Sequence, residues 1–485
     1  MLEGPLLGKV FLFALPLMAT NLLQMLYNAA DMIVAGMSGV EGAIGSIGTT
    51  GAMINLILNV FSGFAIGTNV VVARNIGRGD EKATRSAVHT SLVMAVLFGA
   101  ICAVLGLFIS RPVLAFLGDE GRILDLASLY ARIYFCGAPF MAVSNYMIAI
   151  FRAKGDTRTP LFVLTGTGLL NVGMNLFFVL VMHMSVDGVA YATLIANVMN
   201  VLILGAIMLH DAGWCRLEWK KLRLDREAMR DILRDGLPAG IQGALFSLSN
   251  MLIQSTIIGI NNATCPGGSA VIDGNAAATN LEGFAYVATN AVYSAAVTFT
   301  SQHHGARKYK RIGTVMRCCY FVTAMVAVAV AAILLLFRHP LLGMYLGNGP
   351  KPEDFAAGGV LRRGWMHLQY LTEQMKYTIS RETAYTRFYV MIAPYFTLAF
   401  MEVGSGVLRG LGKSTLSTVI SLMGSCVFRL LWIYLIFPLW PTLTMVYLSY
   451  PISWTLTALT HFTVSVVVRR RYMRMYPEDA PVESL

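Results

Sequence analysis

The sequence predicts an all-α membrane protein in which twelve transmembrane helices form two six-helix lobes, related by a pseudo-two-fold axis along the membrane normal. Three observations lead to this prediction. The chain is 56% hydrophobic and only 13% charged, apolar runs recur along almost its whole length, and its two halves resemble one another. Each run has about 20 residues or more, enough to cross roughly 30 Å of hydrocarbon. The first run has polar residues within it and no small-residue cleavage motif after it, so we expect a retained span and not a signal peptide.

The apolar runs define six predicted spans in each half of the chain. They cover residues 9–35, 44–73, 87–110, 126–151, 159–183, 187–209, 236–261, 275–301, 314–337, 386–408, 414–438 and 443–468. The resulting regions are an N-terminal lobe at 1–210, a cytoplasmic linker at 211–235, a C-terminal lobe at 236–470 and a cytoplasmic tail at 471–485.

The two longest connections need separate interpretations. In the linker, Asp225 is a candidate helix cap before an apolar stripe, which predicts a short surface helix. An external insertion at about 340–385 interleaves aromatic and charged residues. We expect this insertion to be either a helix lying on the outer membrane surface or a disordered segment.

Basic residues indicate the orientation of the chain. They cluster in connections that follow even-numbered spans, as at 74–85 and 152–158, and again at 469–471. The opposite short connections carry little positive charge, so the positive-inside rule predicts a multi-pass protein of the inner (plasma) membrane with both termini in the cytoplasm. Because the net charge of +11 lies in these connections and not on one soluble face, we expect no nucleic-acid partner.

Motifs of enzymes and metal sites are missing from the sequence. It has no H-E-x-x-H, no P-loop and no G-x-S-x-G in a suitable strand context, so a membrane-embedded enzyme is the least favoured function. The seven cysteines are scattered without metal-ligand spacing, and His303-His304 has no acidic or thiol ligand at a suitable spacing. We therefore expect neither a metal nor another cofactor. The expected partners are small molecules and membrane lipids, and we expect a monomer.

Three ordered matches relate the two halves of the chain. Leu15-Pro16 recurs as Leu237-Pro238, Gly77 recurs as Gly305, and the segment 151–157 recurs as 408–414. Six spans separate equivalent points, and this even number gives both copies the same orientation in the membrane. Parallel repeats of this kind predict two lobes around a central cavity. The motif Gly63-x-x-x-Gly67 predicts a close contact between helices.

A few polar residues lie inside the spans of the first half, where an ionised side chain costs about 3 kcal/mol or more and usually faces a cavity. They include Asp31 in span one and Asn171 and Asn175 in span five. The two asparagines are one helical turn apart, so they face the same side. Asp31 is a candidate for binding and releasing a cation. The asparagines could stabilise either of its protonation states, or could simply bind neighbouring helices.

The second half carries a larger polar set within its spans. Its members are Asn250, Gln254, Asn280, Glu282, Glu402 and Arg429. A buried charge needs compensation, so we expect Arg429 to pair with one of the two glutamates. The other glutamate would then be free to titrate or to attract a cationic substrate. A purely structural network is the alternative.

Several of these segments resemble the multidrug and toxic compound extrusion family. The resemblance lies in the segments 31–36, 152–160, Asn171-x-x-x-Asn175 and 188–193, and it covers about residues 9–338 and 386–470. In the second half, 280–284 and 428–433 are similar to bacterial members nearest the DNA-damage-inducible branch. The parallel six-plus-six arrangement is similar as well.

The resemblance implies a secondary antiporter that works by alternating access. Such a protein exports amphipathic, often cationic organic molecules while protons or sodium ions enter. The coupling carboxylate of the family falls on Asp31. Some members place an asparagine and an aspartate at the positions of Asn171 and Asn175, so the second carboxylate is missing here. A flippase for lipid-linked sugars, from the same superfamily, is the rival function, but it usually needs a more basic central cavity than the mainly acidic in-membrane charges predict.

Overall fold

A computed structural model describes residues 1–37, 40, 43–116, 121–266, 268–347, 349–351 and 360–476. Helices dominate throughout these residues. In chain order they are α1 (Leu6–Met37), α2 (Ala43–Arg78), α3 (Glu81–Phe116), α4 (Gly121–Cys136), α5 (Ala138–Lys154), α6 (Arg158–Leu176), α7 (Val186–Leu209), α8 (Arg226–Thr264), α9 (Ala270–Gly305), α10 (Tyr309–Leu336), α11 (Arg338–Leu346), α12 (Val360–Ile392), α13 (Tyr395–Gly410), α14 (Ser414–Ser421), α15 (Phe428–Leu431) and α16 (Leu443–Met475). Wider π-helical turns at Phe177–Val181, Leu422–Val427 and Trp432–Ile436 extend α6 and α14 to the ends of their spans.

Length and hydropathy make eight of the described helical segments candidate membrane spans, or ten if two bent pairs each count as one. The pairs are α4 with α5, bent by 50°, and α12 with α13, bent by 47°. The first bend lies at Gly137 and the second next to Pro394, which has no N–H to continue the helical hydrogen bonds. The helices α2 and α9, each 36 residues long, complete the predicted twelve.

The two lobes meet where α2 packs closely against α8. A Cβ atom on Gly63 would lie 2.2 Å from the backbone nitrogen of Gly240, and one on Gly67 would lie 2.4 Å from the carbonyl oxygen of Ile232. No side chain fits at such distances, so the two helix backbones are in direct contact. The predicted close helix contact at Gly63-x-x-x-Gly67 is confirmed.

A second lobe contact joins the last turns of α2 and α9, at what we call the basic end of the bundle because Arg74, Arg78 and Arg307 lie there. A Cβ on Gly77 would lie 2.0 Å from the carbonyl oxygen of Gln302, and one on Gly305 would lie 2.0 Å from that of Arg74. The two glycines are equivalent in the sequence repeat, so each lobe supplies the glycine to one contact and the carbonyl to the other. The lobes are therefore closed against one another at the basic end.

Polar bonds reinforce this closure. Arg74 of α2 forms ion pairs with Asp231 at 2.5 Å and with Asp235 at 3.6 Å, both on α8. Further along the same surface, the Thr298 hydroxyl of α9 donates to the side-chain oxygen of Asn69 on α2 at 3.0 Å. All three bonds cross between the lobes, so all three must break if the basic end opens.

The structure differs from the sequence prediction in two connections. The helix that leads into span ten begins within the expected external insertion at 340–385, because residues 360–385 belong to α12, which contacts α9 and α16. Residues 352–359 lie outside the described residues, as does the tail from 477. In the linker, the Asp225 carboxylate accepts a hydrogen bond from the Glu227 N–H, which confirms the predicted cap. The helix that it caps is not a separate surface helix, because α8 continues without a break to Thr264.

Candidate functional site

The N-terminal lobe contains a cavity of about 320 Å³ between α1, α6 and α7, and Asp31 lies in its wall. Asp31 is near the end of α1 and only 9% exposed. The helix approaches α6 closely here, because a Cβ on Gly168 would lie 1.9 Å from the Tyr27 ring. Glycine at 168 therefore leaves room for the Tyr27 ring and brings Asp31 within reach of the α6 side chains.

Two asparagine side chains on α6 bind Asp31. The Asn175 side-chain nitrogen donates to Asp31 Oδ1 at 2.5 Å. The Asn171 amide fits its surroundings best when its nitrogen also donates to Asp31 Oδ1, at 3.0 Å, and its oxygen accepts from the Thr193 N–H at 3.3 Å. The structure thus brings together Asp31, Asn171 and Asn175. Each amide offers a donor, and donors stabilise the ionised form of a carboxylate.

No basic residue compensates the Asp31 carboxylate within the described wall of this cavity. Asp31 is the only Asp, Glu, Lys, Arg or His there, and the titratable neighbours are the tyrosines Tyr27 and Tyr134. The side-chain oxygen of Asn175 is buried and lacks a hydrogen-bond partner in the described part of the chain. The Asp31 carboxylate has no cationic partner, and the Asn175 oxygen beside it has no donor, within the described residues. A proton or a small cation can bind there, because it supplies the missing positive charge or donor.

The C-terminal lobe contains a buried ion pair that the sequence prediction missed. Arg387 of α12 binds both carboxylate oxygens of Glu282 on α9, at 2.7 and 2.8 Å. The same guanidinium donates to the side-chain oxygen of Asn275 at 2.7 Å, and Asn275 in turn donates to Gln254 at 3.2 Å. This network joins α8, α9 and α12. Asn280 is not part of it, because its exposed side chain bonds to the carbonyl of Ala276 in its own helix.

The prediction that Arg429 pairs with Glu282 or Glu402 is wrong. Arg429 Nε donates to the Ser453 hydroxyl at 2.9 Å, and the guanidinium lies 4.2 Å from the centre of the Tyr450 ring. Among the described residues it has no carboxylate partner. The nearer cation, Arg387, neutralises Glu282, and Arg429 is stabilised instead by a hydroxyl and an aromatic face.

A central cavity of about 380 Å³ lies between the two lobes. Four charged side chains line its described wall: Arg152, Arg409, Arg429 and Glu402. Asn250 lines it as well, whereas Gln254, Asn280 and Glu282 do not. The expectation of a mainly acidic interior is therefore wrong, because Glu282 is paired outside this cavity and the arginines outnumber the one remaining glutamate.

Sequence reasoning missed three arginines for two reasons. Arg387 lies just inside predicted span ten, directly after a charged segment whose composition predicts a loop. The sequence places Arg152 and Arg409 in basic connections, but both reach the central cavity from the last turns of α5 and α13. They occupy equivalent positions in the repeat, and this equivalence was the signal that could have identified them as a pair.

Comparisons with known proteins agree with this architecture. The MatE family model matches residues 16–177 and 238–350, more than half of the chain. The probable multidrug resistance protein YoeA of Bacillus subtilis is 24% identical over 343 residues, which cover 69% of this chain and 72% of that protein. The probable multidrug resistance protein NorM of Thermotoga maritima is 25% identical over 345 residues, which cover 69% and 71%.

Solved structures share the fold at low sequence identity. An outward-facing multidrug resistance MATE family transporter of the MOP superfamily superimposes with a TM-score of 0.82 at 20% identity, covering 98% of both chains. A MOP superfamily transporter from Pyrococcus furiosus, described as having a binding pocket of reverse polarity, superimposes with a TM-score of 0.84 at 20% identity, covering 97% of both. With two lobes, a central cavity and a family match over more than half of the chain, the chain belongs to the MatE family of multidrug efflux transporters and is not an enzyme.

Proposed function

We propose that this protein is a secondary active antiporter that exports amphipathic small molecules and is driven by protons bound at Asp31. The observation that supports this proposal is the buried carboxylate of Asp31, which has two amide donors and no basic partner among the described residues of its cavity. An ionised carboxylate in that position is costly, so changes in its surroundings shift the balance between its charged and neutral forms.

Asn175 provides a way to couple protonation to structure. When Asp31 is ionised, the Asn175 nitrogen donates to it, as observed. When Asp31 is protonated, its hydroxyl becomes a donor and needs an acceptor. A half-turn of the amide presents the Asn175 oxygen, which has no hydrogen-bond partner among the described residues. Protonation thereby reverses the hydrogen bond between α1 and α6 and biases the packing of these helices between two arrangements, as alternating access requires.

Sodium is the alternative coupling ion. Carboxylate and amide oxygens from Asp31, Asn171 and Asn175 are the oxygen ligands that such a hard cation accepts.

The positive-inside rule puts the basic end of the bundle and both termini on the cytoplasmic side of the membrane. With that orientation, the closure at Gly77 and Gly305 separates the site from the cytoplasm. We propose a monomer in the inner membrane.

The experiment is transport in proteoliposomes with one gradient imposed at a time. Wild-type protein should move fluorescent amphiphiles, tested as one cationic and one anionic dye, when a pH gradient is applied and not when only a sodium gradient is applied. Asp31→Asn should abolish this transport while the protein still elutes as a single species. Asp125→Asn, at an exposed ion pair with Arg111, is the matched control and should transport normally. Wild-type rates in the Asp31→Asn variant would refute the proposal.

A flippase for lipid-linked sugars is the second candidate, and one observation favours it. The central cavity carries three arginines and a single glutamate, as a pyrophosphate group would require. The same assay separates the candidates, because a flippase would transfer a lipid between leaflets without needing Asp31 or a pH gradient.

A further inference from the structure

The central cavity has an excess of positive charge. Three guanidinium groups and one carboxylate line its described wall, so the formal balance is +2 with Glu402 ionised and +3 with Glu402 protonated. Arginine cannot escape this cost by deprotonation. The excess positive charge is therefore a permanent property of the cavity.

The three arginines differ in how far the protein satisfies them. Arg409 donates to Gln242 at 2.9 Å and to the Tyr293 hydroxyl at 3.1 Å, and Arg429 donates to Ser453. The side chain of Arg152 makes no hydrogen bond or ion pair with any described residue, and its Nε atom is buried without a partner. Glu402 lies in the same cavity wall but forms no ion pair within the described residues.

Both lobes contribute charged groups to the same binding site. Arg152 comes from the last turn of α5 in the first lobe, and its repeat equivalent Arg409 comes from the last turn of α13 in the second. Aromatic side chains, among them Phe246 and Trp454, form the rest of the wall together with polar groups. Paired cations beside apolar surface suit a molecule with an anionic head and an apolar body.

We propose that the central cavity binds anionic amphiphiles, with a phosphate or carboxylate head held between Arg152 and Arg409. This inference rests on the proposed export function and names the substrate class that it serves. An anion supplies the counter-charge that Arg152 lacks. Glu402 opposes the same anion, so it lowers the affinity of the cavity and aids release.

The test compares two probes with the same tail and opposite heads. Dodecyl phosphate and dodecyltrimethylammonium are titrated into the purified full chain in dodecyl maltoside, and binding is followed by the fluorescence of Trp454, identified by its loss in Trp454→Phe. Dodecyl phosphate should bind at least tenfold more tightly than the cation. Inorganic phosphate should compete weakly with dodecyl phosphate, because it has the anionic head but lacks the apolar tail.

Matched variants separate the two signs of charge. Arg152→Gln should weaken binding of dodecyl phosphate about tenfold, equivalent to about 1.4 kcal/mol. Arg152→Lys should keep most of the affinity, and Arg158→Gln, an exposed arginine near the same end, should leave it unchanged. Glu402→Gln should tighten it severalfold. The proposal is overturned if the cation binds more tightly, if Glu402→Gln weakens dodecyl phosphate, or if none of these variants changes its affinity.

Two further arms identify the source of the anion and keep this inference apart from the proposed function. In liposomes, transfer of a fluorescent short-chain phosphatidic acid between leaflets indicates that the natural anion is a lipid. Uptake of dodecyl phosphate into the lumen indicates that it is a soluble molecule. Loss of either activity in Arg152→Gln supports the anion site. Asp31→Asn should abolish transport and leave equilibrium binding of dodecyl phosphate intact. If dodecyl phosphate binds but transport does not depend on Asp31, the coupling mechanism alone is refuted. If transport depends on Asp31 but dodecyl phosphate does not bind, the anion site alone is refuted.

Discussion

Replacing Arg387 by leucine should destabilise the C-terminal lobe more than replacing Arg429 does. The two side chains of the Arg387–Glu282 pair are only 7% and 9% exposed, so water screens them little. Removing the guanidinium leaves Glu282 buried and uncompensated, which costs about 3 to 5 kcal/mol. Arg429→Leu removes a hydrogen bond to Ser453 and a contact with an aromatic ring, a loss of about 2 kcal/mol.

The assay is a double-mutant cycle on the free energy of unfolding, measured by titrating SDS into protein in dodecyl maltoside. Adding Glu282→Gln to Arg387→Leu should recover about 2 kcal/mol or more, because the neutral amide no longer needs the missing cation. Adding Glu282→Gln to Arg429→Leu should recover nothing. A coupling energy below about 0.5 kcal/mol between Arg387 and Glu282 is within the error expected for independent sites, and it would refute the pairing.

Three further outcomes follow from the geometry. Gly77→Ala would place a Cβ 2.0 Å from the Gln302 carbonyl, so it should open the basic end and raise maleimide labelling of a cysteine introduced there, whereas Gly51→Ala, with open space around it, should not. Hydrogen bonds from Ser86 and the Glu227 N–H hold the pKa of Asp225 below its usual range, so the loss of unfolding free energy in Asp225→Asn should be present at neutral pH and should fade as the pH falls through that lowered value. One-for-one exchange of an exported monovalent anion for an entering proton carries two charges inward, so a potential of 100 mV, negative inside, should add about 4.6 kcal/mol of driving force; a valinomycin-imposed potential that leaves anion transport unchanged would contradict this.

The architecture was predictable because span length and apolar runs depend only on local sequence. The twelve spans and the two lobes follow from runs of apolar residues and from the repeat, and the structure has them. The boundary of α12 was less accessible. Charges between 360 and 385 lower the hydropathy of that segment, although the helix passes through it without a break and packs on α9.

The polar contacts were only partly predictable. One-turn spacing correctly put Asn171 and Asn175 on the face that meets Asp31. The partner of Glu282 depends instead on which faces of α9 and α12 turn towards each other, and no local pattern records that. A basic residue near a span end satisfies the orientation rule whether its side chain points to water or into a cavity, so the sequence around Arg152 indicates topology and not a cavity position.

The ion pair between Glu282 and Arg387 also sets an order of events during synthesis. The two residues are 105 positions apart. At about 5 to 20 residues per second, a ribosome needs roughly 5 to 20 seconds to make that length of chain. During this interval α9 exists without the cation that binds its carboxylate in the folded protein. Stable packing of α9 therefore waits for α12, and slower translation of the segment between them would lengthen the time for which the nascent lobe is incomplete.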